Sequence, residues 1–484
     1  MRNLFYVLNI LIGMFLFSGC DHFLDEAPRG NAIAETVEDY DKMFNASTIM
    51  NMSIADSYYA YWKNDELIFT EDCYSTVVQL TNYPTSIKAA IEYQYHIYRE
   101  DENSLEWEKC YNQIYIFNAI INGIMQAQGD ETEKEYLLAE ARVSRAYMHF
   151  LLAQWFAMPY NEATAETEWA IPIVKEANTQ AKKYDRATVK ELYSWITSEM
   201  EDACPLLKKR EEHRMRCYQA TGHALLGKVY FQMGKYEKAL EPLRTAYELL
   251  QGDPNVYLTD HKVKQASYGY KEMGMFDIMS YIPFVYNDNE TLYCKYNPTM
   301  RNYYLPYYNM APTDYLKPEI YQLFDEEDLR RNLISTKNAM GEPLPYPYSG
   351  ALGAYMNLGC ALPEVYLMLA ECEARAGLES ESRRILEEFR GYRLLSGFEI
   401  IPQSVQTKND LIRFCVEEQT REFVGTGYRY YNVRRLWNDP LFQDWKPITH
   451  TVGSQVYTLE ETQLKTAYPE TVLIWNEEWR KWRD

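Results

Sequence analysis

The chain has 484 residues, 25% charged, 47% hydrophobic and 15% aromatic, a globular composition that can bury a large core and resembles neither a coiled coil nor a low-complexity polymer. Its 49 basic and 70 acidic side chains leave a formal charge of -21, a field that repels phosphate backbones and argues against nucleic acid as a partner. With 44 Tyr against 18 Phe and 10 Trp, the aromatic share is lopsided. Tyr joins an apolar face to a polar tip, so the surplus points either to ligand-stacking surfaces or to Tyr-rich helix cores.

The first element is an export signal. Arg2 precedes an apolar run from Leu4 to Phe17, and this run is shorter than the ~20 residues a membrane span needs. It ends in Leu16-Phe17-Ser18-Gly19-Cys20, and the small pair before a Cys is similar to the lipobox of bacterial lipoproteins. Residues 1–19 therefore read as a lipoprotein signal peptide and Cys20 as the lipidated first residue of a mature chain spanning 20–484. Acyl chains on Cys20 would hold an acidic body beside a membrane without help from its protein surface.

Apolar residues then recur at helical spacing over 38–50, 86–127, 131–158, 188–207, 215–250, 362–393 and 409–437. Within 221–248, Leu226, Gly227, Tyr230, Gly234, Tyr236, Ala239, Leu243 and Ala246 occupy the spacing of a tetratricopeptide helix pair. Residues 136–158 and 364–389 look like degenerate versions, with Ala139, Ala146, Ala370, Ala374 and Gly377 as the small contacts. The predicted fold is mainly α, with such pairs stacked into a scaffold over about 86–251 and 362–437. Between 252 and 361, prolines from Pro254 to Pro347 break any long helix, and tyrosines crowd from Tyr281 to Tyr355. A second aromatic stretch covers 57–84. Neither resembles a flexible linker, so a single domain is predicted, with these two stretches as a loop-rich ligand lobe.

Beyond Cys20, no C-x-x-C pair occurs, and Cys110, Cys372 and Cys415, lying in apolar helical stretches, are predicted to be buried free thiols. The seven His show no zinc spacing. Asn287-Asp288-Asn289-Glu290 offers oxygens of the kind calcium takes but lacks the Gly and distant Glu of an EF-hand, so a structural calcium is unsupported and no cofactor is expected. Asp325, Glu326, Glu327 and Asp328 read as a solvated helix end. Gly425-Thr426-Gly427 has Tyr430 where a phosphate loop has its third Gly. Arg421, Arg429, Arg434 and Arg435 are expected to pair with acids inside the scaffold. No nucleophile motif or spaced carboxylate pair is present, so no catalytic residue is predicted.

Binding a sugar needs a flat apolar face for the ring and carboxamide, carboxylate or guanidinium groups for the hydroxyls. Two clusters supply that mixture: Tyr61, Trp62, Asn64, Asp65, Tyr74, Gln79 and Asn82, and then Tyr286, Asn287, Asp288, Asn289, Arg301, Asn302, Tyr303 and Tyr304. Trp62 is the foremost stacking candidate, being the largest platform and following three Tyr.

Several blocks resemble the SusD/RagB family of surface lipoproteins. Cys20-Asp21-His22-Phe23-Leu24-Asp25 is similar to its lipid-Cys start, and Trp107, Tyr111, Ile114 and Asn118 to its W-x3-Y-x2-I-x3-N helix. Ala139-Glu140-Ala141-Arg142, Arg145-Ala146-Tyr147 and Pro159 resemble its A-E-A-R-x2-R-A-Y helix. Leu323-Phe324-Asp325, Glu364-Val365-Tyr366-Leu367 and the run from Arg421 to Trp437 look like later family signatures, with departures at Ala157, Thr426 and Asn432. The resemblance implies a SusD-like fold and a non-catalytic, outward-facing, lipid-anchored outer-membrane protein. Such a protein captures oligosaccharide and delivers it to a partner SusC-like TonB-dependent transporter, which it covers as a lid. A peptide-binding lid of the same build, and a secreted glycan hydrolase, are the alternatives.

Overall fold

The computed structural model describes residues 34–52, 59–80, 84–178, 180, 183–211, 213–298, 314–338, 340–349 and 355–482. Cys20 and the predicted signal peptide lie outside these residues.

The chain enters through α1 (Val37–Phe44), capped by a reciprocal box in which Thr36 Oγ1 accepts from the Asp39 N–H and Asp39 accepts from the Thr36 N–H. The scaffold follows as α2 (Leu105–Gly123), α3 (Glu131–Phe156), α4 (Val189–Ala203), α5 (Gln219–Gln232) and α6 (Tyr236–Leu250). It resumes with α7 (Leu362–Arg375), α8 (Glu379–Arg390), α9 (Lys408–Glu422) and α10 (Tyr428–Leu436). The side chains of α3 are buried almost all round between Val143 and Phe156, because α2 and α4 pack on its two sides. The tetratricopeptide-type pair is α5 and α6. A Cβ added at Gly227 would come within 2.6 Å of the Leu243 side chain, so Gly is what lets these two helices approach. Further along, α6 meets α7 through Arg244, which forks onto Glu373 at 2.7 Å on both arms. Among the described residues, no helix is long and apolar enough to cross a membrane.

Between the two helical blocks the chain runs as short antiparallel pairs: Thr291–Tyr293 with Cys360–Ala361, Tyr296–Pro298 with Tyr355–Asn357, and Ser335–Lys337 with Pro343–Tyr348. Pro343, Pro345 and Pro347 alternate along the last of these, a spacing that fits an edge strand because a ring nitrogen has no hydrogen to donate to a ladder. Tyrosines moor this region to the scaffold. Tyr147 on α3 donates to the Leu358 and Gly359 carbonyls at 2.7 Å, and Tyr293 donates to Ser144 Oγ at 3.1 Å.

Two segments differ from the helical pattern read in the sequence. Residues 57–84, expected to be an aromatic loop, contain a one-turn helix Tyr59–Trp62 and a longer helix Glu71–Leu80, followed by Pro84–Ile91. The expected helix over 86–127 is interrupted at Tyr93, whose φ of 55° leaves the helical region, and it restarts only at α2 under a Ser104 cap. The eight cysteines of the described residues are all buried and free, Cys110, Cys372 and Cys415 among them.

Candidate functional site

The first predicted cluster is inside the protein. Trp62 is 6% exposed and meets Tyr61 edge-on at 5.0 Å, while Tyr61 donates to Asp314 Oδ1 at 2.8 Å. Asn64 is fully buried, its amide donating to Glu66 Oε2 at 2.7 Å and its carbonyl lying 2.7 Å from His450 Nε2. The His450 ring stacks on Tyr93 at 4.3 Å, and burial pushes its pKa down to about 4. Burial raises Glu66 to about 7 against hydrogen bonds from Asn64 and from the Gly425 N–H at 3.1 Å. Gly425 has a φ of 70°, and a side chain there would run into Ser349, so the glycines at 425 and 427 form a tight turn feeding α10 onto this network. Asp65 is held by Arg429, and Tyr74 is half-buried with its hydroxyl donating to Glu92 Oε1 at 2.7 Å. In this arrangement Tyr61 is tied to Asp314, Asn64 to His450 and Asp65 to Arg429, and with Trp62 these residues are buried and offer no open face to a ligand. Asn82, Arg301, Asn302, Tyr303 and Tyr304 lie outside the described residues, and so does the Gln79 side chain.

Tyr286 and Asp288, from the second cluster, meet at one place. A single 3-10 turn, Val285–Asn287, turns Val285 inward and leaves its neighbours Phe284 and Tyr286 each 43% exposed. Those two rings stack at 5.6 Å with planes 17° apart, and Tyr296 meets Tyr286 edge-on at 6.3 Å. Asn289 is fixed alongside, its amide donating to the Tyr257 carbonyl at 2.8 Å and to Thr259 Oγ1 at 3.0 Å.

Val285 and Asp288 also line a cavity of about 220 Å³ between scaffold and strands. Its walls come from Phe150 on α3, Lys228 on α5, Glu364 on α7, and Phe423, Thr426, Tyr428 and Tyr431 around the Gly425 turn. Lys228 donates to the Gly359 carbonyl at 2.8 Å and pairs with Glu364 at 2.7 Å. Asp288, Glu290 and Glu422 form a wall shared with a second, smaller cavity of about 140 Å³ that also contacts His261, Lys264, Tyr281 and Arg330. Arg393, fully buried, ties that wall together, donating to Glu290 Oε1 at 2.8 Å and Glu422 Oε1 at 2.7 Å. Burial nevertheless pushes Glu290 up to about 7, with Arg393 pulling the other way, and burial raises Asp288 as well. The arrangement is an exposed aromatic platform beside amide and carboxylate oxygens. It can stack on a ring and accept hydrogen bonds from hydroxyls.

Phe284, Tyr257 and the cavity residues of α5 and α7 were not read from sequence as site residues. The signal for Phe284 was its place two residues before Tyr286 in Pro283-Phe284-Val285-Tyr286. Lys228 carries no local signal, and Glu364, though part of a run that resembles a family signature, is not marked as a cavity residue, because a Lys and a Glu on helices far apart in the chain look like solvated charges until the helices cross.

Residues 22–231 match a SusD-like family model described as starch-binding associating with outer membrane. No curated protein matches the chain. Among solved structures it is similar to a SusD superfamily protein from Bacteroides vulgatus, with 17% identity over 92% of this chain and 98% of that one and a TM-score of 0.67. A SusD superfamily protein from Bacteroides thetaiotaomicron matches with 18% identity, 91% and 98% coverage and a TM-score of 0.63. A laminarin-binding SusD-like protein matches with 14% identity, 91% and 98% coverage and a TM-score of 0.57. At these identities the structural likeness speaks for the fold, and the family model for residues 22–231: the chain has a SusD-like fold, and its N-terminal part is similar to that SusD-like family.

Proposed function

We propose that this protein is a glycan-binding surface lipoprotein that captures oligosaccharide and passes it, unaltered, to a partner TonB-dependent transporter in the outer membrane. The observation that carries the reading is the exposed Phe284–Tyr286 stack beside Asp288 and Asn289. Such a platform supplies what a pyranose needs, and rim contacts of this kind release quickly, which suits handover. The family model's description as starch-binding and outer-membrane-associated, and the laminarin-binding protein of similar fold, support the ligand class. The acids of the adjoining cavity are held in place by salt bridges and backbone hydrogen bonds. Cys20 would carry the lipid anchor that keeps the acidic body at the outer face of the membrane.

Titration of the mature protein against a panel of α- and β-glucan oligosaccharides and a peptide digest tests this. Binding of an oligosaccharide without turnover is the expected result. Binding confined to peptides, or hydrolysis of any glycan, would overturn it.

A further inference from the structure

A second aromatic recess, of about 470 Å³, lies between α2, the stretch Pro172 to Asn178 with Tyr184, and the C-terminal turns Glu470–Leu473 and Glu477–Trp482. None of its residues belongs to the clusters read from sequence or to the cavity beside Tyr286. Trp107 and Trp479 form the floor, 6.4 Å apart, and Arg186 lies 5.6 Å over the Trp479 ring. Tyr111 packs on Trp107 at 4.7 Å and donates to the Pro172 carbonyl at 3.1 Å. The floor is therefore rigid. The chain over 172–177 is buttoned to the same helix, since Asn118 donates to the Val174 carbonyl at 3.0 Å and the Ala177 N–H donates to Asn122 at 3.3 Å.

The walls are exposed. Trp475 is 72% and Tyr115 44% accessible, a large cost in unburied apolar area unless something covers it. Around these rings the edge carries Asn103, Asn178, Glu108 and Glu176, all solvent-exposed, and among the described residues neither Glu forms a salt bridge. Flat aromatic faces bounded by exposed carboxamides and carboxylates, the Asn178 oxygen also taking the Gln180 N–H at 2.9 Å, fit a polyhydroxylated ring. The acidic edge disfavours anionic headgroups and phosphate, and the recess is the size of a small-ligand site.

We propose that this recess is a second carbohydrate subsite, taking one or two uncharged sugar rings against Trp475. The proposal rests on the glycan-binding reading above but names a separate place on the molecule. Two bound ends of one chain would raise the effective concentration of the intervening sugar at the Tyr286 platform.

The test uses purified mature protein with maltoheptaose and laminarihexaose, read by calorimetric stoichiometry and by acrylamide quenching of tryptophan fluorescence. The parent is expected to show two binding events and shielding of a tryptophan from acrylamide. Trp475→Ala should remove one event and the shielding, Trp475→Phe should restore the event, and Tyr286→Ala should leave the shielding in place. Circular dichroism of each variant checks that it is folded. If Trp475→Ala keeps both events and the shielding while Tyr286→Ala loses binding, the second subsite is overturned and the glycan reading stands. If the parent binds neither oligosaccharide, both fall. Binding to anionic vesicles that is lost in Trp475→Ala would assign the recess to a membrane surface and overturn the subsite.

Discussion

Arg429 forks onto Asp65, Nε to Oδ1 at 2.8 Å and Nη2 to Oδ2 at 3.1 Å, across 364 positions of chain, with its guanidinium 4.0 Å over the Trp445 ring. Burial pushes the Asp65 carboxyl up and Arg429 outweighs it, holding it below the usual carboxylate range. An acid that a neighbouring aromatic run had marked as a sugar contact is therefore a clasp between the two ends of the fold. Asp65→Ala should cost about 3–5 kcal/mol by stranding Arg429, while leaving oligosaccharide affinity per folded molecule unchanged. Urea unfolding and titration on the same preparation check both halves.

The platform makes the opposite claim. Tyr286→Ala removes an exposed stacked ring, so stability should stay within about 0.5 kcal/mol of the parent while oligosaccharide affinity falls about tenfold. Trp62→Ala should behave in reverse, losing about 3–5 kcal/mol of stability for an almost fully buried ring with no direct effect on the bound sugar. A Trp62→Ala protein that is fully stable but cannot bind would return the site to the first cluster.

Glu106 sits fully buried in the first turn of α2, with Ser104 donating to its Oε2 at 2.9 Å and, among the described residues, no hydrogen-bond partner for Oε1. Burial pushes its pKa up to about 8, against the Ser104 and Tyr98 hydrogen bonds. The folded state thus holds a proton that the unfolded chain releases near pH 4.5, so stability falls as pH rises from that value through about 8. Glu106→Gln stays uncharged throughout. Its denaturation midpoint should decline less than the parent's between pH 6 and pH 9, and parallel slopes would show that Glu106 does not titrate in this window.

Glu418 is fully buried and takes Arg330 at 2.5 Å, Arg390 at 2.9 Å and Arg421 at 2.9 Å. Burial alone would raise its pKa, but the three guanidiniums together hold it well below the usual value. Its contribution is present above the unfolded carboxylate pKa and is lost only as pH falls below the ordinary carboxylate range. Glu418→Gln should destabilise by about 3–5 kcal/mol at neutral pH, because three buried cations lose their shared partner. A thermal melt within a degree of the parent would contradict this.

Much of the fold was legible because helix signals are local. The small residues at Gly227 and Ala239 and the apolar spacing of α3 depend only on neighbours a turn away, and the structure places the corresponding helices where that spacing puts them. The Tyr count divided as the helix pattern implied for Tyr147, Tyr230 and Tyr366, which are buried on scaffold faces. The site was less legible. Tyr286 and Asp288 fall at an exposed ring stack and its acidic neighbour, whereas Tyr61, Trp62, Asn64 and Asp65 have the same composition and the opposite environment.

By itself, then, the sequence determined the helical periodicity, the tetratricopeptide-type pairing, an apolar N-terminal run ending in a lipobox-like Cys20 and the family resemblance, all properties of residues close together in the chain. Which aromatic residues face solvent was decided only by the tertiary structure. Exposure depends on what arrives from elsewhere, such as Asp314 onto Tyr61, His450 onto Asn64 and Arg429 onto Asp65, and nothing in residues 57–84 encodes those arrivals. The same holds for Trp475, whose recess exists because the C-terminal turns come to lie against α2.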